Sequence, residues 1–176
     1  MFDFYMDNIW IWCIVAYFVG FIINKTVVKD KVKVKIEEQV FLEKVTSAIN
    51  KMDGSQFEDF VGYVFRDLGK KVKETGKTRD GGKDLILFEP SGKVYIEIKR
   101  YASKNLVSSP AILKLIGSAV SDGVNKCLFL TTSGYTKDAI KTAEKSKVPI
   151  ELMDLSSFLN MCKDCNRQKV LEYIAA

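Results

Sequence analysis

Residues 80 to 100 read Asp80-Gly-Gly-Lys-Asp-Leu-Ile-Leu-Phe-Glu-Pro-Ser-Gly-Lys-Val-Tyr-Ile-Glu-Ile-Lys-Arg100. Within them, Glu89-Pro90-Ser91-Gly92 has Pro second and Gly fourth, the pattern of a four-residue β-turn. If Glu89 faces Gly92, counting outward pairs Phe88 with Lys93, Ile86 with Tyr95 and Asp84 with Glu97. Side chains alternate along a strand, so Asp84, Glu97 and Lys99 share one face while Leu85, Leu87, Val94, Ile96 and Ile98 point the other way as a core face.

Two carboxylates opposed across a sheet repel by about 3 kcal/mol at separations near 5 Å in a medium of intermediate dielectric. A positive group is therefore expected between Asp84 and Glu97. A divalent cation that prefers oxygen, Mg²⁺ or Mn²⁺, fits two carboxylates, with water and phosphate completing its shell. Lys99 lies one step further along the face, where it can orient or help deprotonate a water and balance charge on a phosphorane-like transition state. The plainer reading is a solvated hairpin in which Lys99 neutralises the pair. Against it, the same face carries Ile86, Phe88 and Tyr95, so the acids emerge from partly apolar surroundings, where acids need a reason to be.

The stretch resembles the PD-(D/E)xK nuclease superfamily, in which an acidic residue on one strand is followed by Asp or Glu, any residue, then Lys: here Asp84 and Glu97-Ile98-Lys99. It is more closely similar to the catalytic domain of Mrr-type restriction endonucleases, through Gly54-Ser55-Gln56-Phe57-Glu58-Asp59-Phe60-Val61, Asp80-Gly81-Gly82-Lys83-Asp84-Leu85-Ile86 and Leu128-Phe129-Leu130-Thr131-Thr132. The likeness covers about Met52 to Asp154. It implies a mixed central sheet flanked by helices and Mg²⁺-dependent hydrolysis of DNA phosphodiesters. Asp84 and Glu97 would bind the metal with the Ile98 carbonyl, Lys99 would assist the water, and Glu58 would be an auxiliary acid. Two positions depart from the pattern: Lys83 stands where the superfamily name has Pro, and Glu97 where many Mrr-like domains carry Gln. In full-length relatives a recognition domain precedes the catalytic one, whereas here a hydrophobic segment does.

Glu58 has a second reading, because Ser55-Gln56-Phe57-Glu58 also fits a capping box in which Glu58 bonds back to the helix start. Asp80 reads as a turn residue, and Gly81-Gly82 as either a tight turn or a close backbone approach to a ligand. Lys83, Arg100 and Lys104 are the expected nucleic-acid contacts, the last two leaving the strand end in a loop of phosphate-contacting composition that a solvated loop would equally share.

The chain has 176 residues, 47% of them hydrophobic, which suits one globular domain plus an appendage. Its net charge of +5 is compatible with nucleic acid or an anionic membrane surface and decides neither. With no histidine, His-based catalysis and His-ligated zinc are excluded. Cys13, Cys127, Cys162 and Cys165 are scattered and imply no disulfide framework. The Cys162-Lys-Asp-Cys165 pair lacks a second ligand pair, so packed thiols are expected there.

Ile9 to Ile23 carries no charge. Fifteen helical residues reach only about 22 Å, but extension to Val28 with Lys25 snorkelling, or back through Tyr5, makes a spanning helix. A cleaved signal peptide fits poorly, since Asp3 and Asp7 precede the run and no small-x-small site follows. Lys25, Lys29, Lys31, Lys33 and Lys35 on the carboxyl side place the globular part in the cytoplasm by the positive-inside rule. The alternative is a hydrophobic helix packed on the domain or on another copy. The expected organisation is residues 1–28 as a single-pass inner-membrane anchor, 29–51 as a basic juxtamembrane spacer and connector helix, and 52–176 as the nuclease domain.

Along the remainder, helices are expected at Ser55–Gly69, Ser109–Gly123, Lys137–Lys147 and Ser156–Ile174. Strands are expected near Lys71–Thr75, at Lys126–Thr131 and, as an edge, at Pro149–Met153. This order argues for an α/β fold independently of the motif. The functional expectation is a membrane-anchored, Mg²⁺-dependent DNA endonuclease acting against foreign DNA. Cutting both strands with one such site calls for two copies, a homodimer, although no stretch of the chain marks an interface. The rival is a catalytically inactive nucleic-acid-binding or scaffolding domain tethered to the membrane.

Overall fold

The computed structural model describes residues 9–76 and 82–176, without the side chains of residues 9–15, 22–24 and 26. Asp80 and Gly81 lie outside the described residues, as do residues 1–8 of the expected anchor. The chain divides into two compact units, Met1–Phe41 and Leu42–Ala176.

Helix α1 (Ile9–Lys51) is continuous through the whole expected spacer and connector. The Lys-Val alternation of residues 31–36 is therefore helical, with Lys33 and Glu37 one turn apart at 3.9 Å on an exposed face. Among the described residues no helix is long and apolar enough to cross a membrane. The uncharged run of the sequence is itself short of a full span, and the transmembrane expectation rests largely on side chains outside the described set.

In the second unit, α2 (Gly54–Asp67) buries Phe57, Phe60, Val61, Val64 and Phe65, the stripe that helical spacing predicts. It ends where Gly69 takes φ +75°, and the Gly69 and Lys70 amides bond back to Arg66 and Phe65. Five strands follow in spatial order β1 (Lys71–Glu74), β2 (Leu85–Glu89), β3 (Gly92–Lys99), β4 (Cys127–Thr131) and β5 (Ile150–Met153). The first three run antiparallel, and β3, β4 and β5 run parallel, so the sheet is mixed as expected. Between β2 and β3 the register is Glu89↔Gly92, Phe88↔Lys93, Ile86↔Tyr95 and Leu85↔Ile96, the one obtained by counting out from the turn.

Parallel neighbours need crossovers, supplied by α3 (Ser109–Ser121) and α4 (Lys137–Glu144). Ile112, Leu115 and Ala119 of α3 and Ala139 of α4 pack with Tyr95, Cys127 and Phe129 into one core. On the opposite sheet face Leu85, Leu87, Ile96, Ile98, Leu128 and Leu130 are buried, and Phe158 of α5 (Leu155–Cys162) meets Phe57 and Phe60 edge to face. Both faces are therefore covered. The face bearing Glu97 is a second core and not the partly apolar surface that a lone hairpin suggests.

The expected C-terminal helix is two. After α5 the chain turns, and α6 (Arg167–Ala175) restarts at Asn166, whose side chain accepts from the Lys169 amide and whose own amide donates to Asp67 Oδ2 at 2.7 Å. Cys162 and Cys165 flank this turn as buried thiols, which burial pushes up to about 12 and about 11.

Candidate active site

Asp84 stands just before β2, and its backbone is held from both sides. Its amide donates to the Ile96 carbonyl at 2.7 Å, and its carbonyl accepts from the Thr75 amide at 3.0 Å. The strand ladder stops at Leu85↔Ile96, and beyond it the Asp84 side chain takes over, with Oδ2 accepting from the Ile98 amide at 2.6 Å. A charge-assisted bond to a strand amide fixes the carboxylate far better than side-chain rotamers alone would.

Glu97 lies in the middle of the sheet, opposite Phe129 of β4, and is only 5% exposed. Its Oε1 contacts Lys99 Nζ at 2.6 Å, while its buried Oε2 has no hydrogen-bond partner. Burial first, and the charge of Asp84 second, push the Glu97 carboxyl up to about 7 against the pull of Lys99 and Lys114. Burial alone would draw the Lys99 ammonium down, but its bond to Glu97 and the charge of Asp84 outweigh that and leave it raised.

The Lys99 ammonium touches three oxygens: Glu97 Oε1 at 2.6 Å, the Ile98 carbonyl at 3.0 Å and Asp84 Oδ2 at 3.4 Å. These belong to the residues expected to hold a divalent cation. Two acids and one base leave the group one negative charge in excess when all are ionised, and an acceptor oxygen of Glu97 is unengaged. That donor set fits an oxygen-preferring cation such as Mg²⁺ or Mn²⁺, completed by water and phosphate. Among the described residues no three His, Cys, Asp or Glu side chains gather as a metal-holding group.

Several expected partners are positioned differently. Glu58 is half-buried on α2 and is not the capping residue: the box is formed by Asp53 and Gln56, whose side chains each bond the other's amide at 2.8 Å. The N-cap is Asp53, two residues before Ser55, so Glu58 falls past the position that can reach back. Lys83, expected on nucleic acid, instead bonds Asp122 Oδ2 at 2.7 Å and lies 4.4 Å from the centre of the Tyr95 ring. Arg100 donates to the last carbonyls of α1, Ile49 at 3.2 Å and Asn50 at 2.6 Å, the natural place for a cation at a helix C-terminus. Lys104 is exposed in a turn and remains available to a phosphate.

Lys114 on α3 escaped the sequence reading. Its stem crosses Gly82, where φ is +84° and an added Cβ would come within 2.8 Å of Lys114 Cε. Neither the positive φ nor the contact leaves a mark in the sequence beyond the glycine itself.

The family model described as Mrr_cat, restriction endonuclease, matches residues 49–162. An uncharacterized protein, y4cE of Sinorhizobium fredii (strain NBRC 101917 / NGR234), is 30% identical over 151 residues, 77% of this chain and 39% of its own. The type IV methyl-directed restriction enzyme EcoKMrr of Escherichia coli (strain K12) is 30% identical over 105 residues, 55% of this chain and 34% of its own. The chain thus spans well under half the length of these curated relatives. Among solved structures, the DNA modification-dependent restriction endonuclease AspBHI superposes with a TM-score of 0.56 at 20% identity, over 79% of this chain and 40% of its own. MspJI restriction endonuclease, in complex with a 27-mer oligonucleotide, gives 0.55 at 17% identity, over 78% and 35%. These two bear on the fold, and the family match bears on descent: the chain belongs to the Mrr-type restriction endonuclease family of PD-(D/E)xK nucleases.

Proposed function

We propose that the protein is a metal-dependent endonuclease that hydrolyses DNA phosphodiester bonds, with Asp84, Glu97 and the Ile98 carbonyl as ligands for Mg²⁺ or Mn²⁺. The observation that carries this reading is the buried, unpartnered Glu97 Oε2 beside a second carboxylate, since a purely structural ion pair has no use for an orphaned acceptor. When bound, the cation supplies Lewis-acid polarisation of the phosphate and acidifies water. The protein's own part is positional. Asp84 is clamped by the Ile98 amide, and Lys99 directs its ammonium at the space between the carboxylates, where it can orient a water and donate to a phosphate oxygen. Glu97 Oε2 is the atom open to a proton or a ligand. The AspBHI and EcoKMrr names speak for DNA as substrate.

Purified full-length chain, incubated with supercoiled plasmid and Mg²⁺ or Mn²⁺, is expected to nick or cut it, and Asp84→Asn is expected to abolish this. Binding of the plasmid without cleavage would establish the inactive scaffolding reading instead. Equal turnover by wild type and Asp84→Asn would overturn the assignment of the site. Double-strand cutting calls for a homodimer, which a cutting rate of second order in protein would reveal.

We also propose that the N-terminal helix anchors the chain in the cell inner membrane as a single pass, with the nuclease domain in the cytoplasm and foreign DNA as its target. Support comes from the uncharged Ile9 to Ile23 run and the five lysines after it. Tyr17, Phe18 and Phe21 are exposed on this helix, and Lys25 lies over the Phe21 ring at 4.7 Å. Release of the chain from membranes by alkaline carbonate would refute the anchor.

A further inference from the structure

We propose that Lys114 is the substrate-facing cation of this site and binds a DNA phosphate beside the Asp84 and Glu97 carboxylates. The inference rests on the DNA-nuclease reading and adds to it the residue that receives the substrate.

Three of the other cations near the site are already engaged. Lys99 is held by both acids, Lys83 by Asp122, and Arg100 by the carbonyls that end α1. A phosphate approaching Asp84 and Glu97 therefore meets a group whose single ammonium is outnumbered by two carboxylates. In the absence of a bound cation it needs a positive charge from outside that group.

Lys114 fits by position. It follows Ile112 and precedes Leu115, both buried on the α3 face that packs on the sheet, yet is itself exposed. An ideal Cβ on Gly82 would lie 3.2 Å from its Cγ, 3.0 Å from its Cδ and 2.8 Å from its Cε. The outer half of the side chain thus runs along the backbone that enters Asp84, and its charge acts on Glu97. Among the described residues it makes no ion pair within 4.0 Å. A stem already guided by Gly82 gives up less rotamer freedom when the ammonium takes a phosphate. Any residue larger than glycine at position 82 would push that stem aside, apart from the strain of the positive φ.

The test uses Lys114→Met, which keeps an unbranched stem over Gly82 without its charge, and Lys114→Arg, which keeps the charge. Binding of a labelled DNA duplex is measured across a salt series without added metal, and plasmid cleavage separately with Mg²⁺. Lys114→Met is expected to reduce the slope of log K against log salt by about 0.9, the value for one phosphate on duplex DNA. It should raise KM by about tenfold with kcat within about twofold. Lys114→Arg should restore the slope, and both variants should melt with wild type. An unchanged slope in Lys114→Met, while wild type binds and cleaves, would overturn the inference and leave the nuclease intact. A fall in kcat with no change in slope would also overturn it, by moving Lys114 into the chemistry. A wild type that neither binds nor cleaves DNA would sink the nuclease reading and this inference together.

Discussion

Two lysine-carboxylate clusters grow from adjacent residues of the same segment, and they end in opposite states. Lys83 reaches Asp122, whose Oδ2 also accepts from the Tyr95 hydroxyl at 2.7 Å, and the ammonium lies over the Tyr95 ring. One acid meets one base and one phenol, and the bonds from Lys83 and Tyr95 hold the Asp122 carboxyl below its usual range. Asp84, next in the chain, joins Glu97 around Lys99, where two acids share one base, one oxygen is left over, and Glu97 is pushed up to about 7. The first cluster is closed and ties α3 to β3. The second is open. What separates the two clusters is the unmatched charge, since the residue types are nearly the same.

The strongest way to break this comparison is by activity. Asp84→Asn and Lys99→Ala should each lower plasmid cleavage by about 100- to 1,000-fold, as loss of a group acting on the transition state does, while Lys83→Met leaves it within about twofold. Equal losses in all three would erase the distinction. A second test uses pH on the metal-free protein. Because the folded Glu97 carboxyl lies at about 7, above its ordinary 4.5, the folded state binds the extra proton between those values. Its contribution to stability is complete below pH 4.5 and lost as pH rises through about 7. Urea unfolding should show wild type losing on the order of 2–3 kcal/mol across that window relative to Glu97→Gln. No difference between the two would mean that Glu97 is not held in an electrostatically adverse setting.

Smaller effects belong to the closed contacts. Lys83→Met should lower stability only slightly in the same assay, through the lost bond to the exposed Asp122 and the lost ring contact. Arg100→Gln should cost about 0.5–1 kcal/mol, as a helix C-terminus loses its cation, and should leave the salt dependence of DNA binding where it was. A reduced salt slope for Arg100→Gln would return Arg100 to the phosphate contacts that its sequence context suggests.

Much of the fold was legible because its signals are local. The turn Glu89-Pro90-Ser91-Gly92 set the β2–β3 register, and the apolar runs of α2 and β4 announced their burial. Where rival local signals competed, the reading failed: Asp53 with Gln56 caps α2 instead of Ser55 with Glu58, and Asn166 restarts a helix where periodicity alone ran straight on. The second core on the Glu97 face was invisible from the hairpin, since α3 and α4 cover it from later in the chain. Lys114 was missed for the same reason, its meaning depending on a glycine in a distant loop.

The sequence by itself determined that Asp84, Glu97 and Lys99 share a face, because strand alternation and a turn are properties of neighbouring residues. Only the tertiary structure decided which of the other charges are already engaged: Lys83 by Asp122 and Arg100 by the end of α1, with Lys114 left facing outward. A charge is neutralised by whatever the fold brings within a few ångströms, and those partners lie dozens of residues away along the chain, beyond the reach of any local pattern.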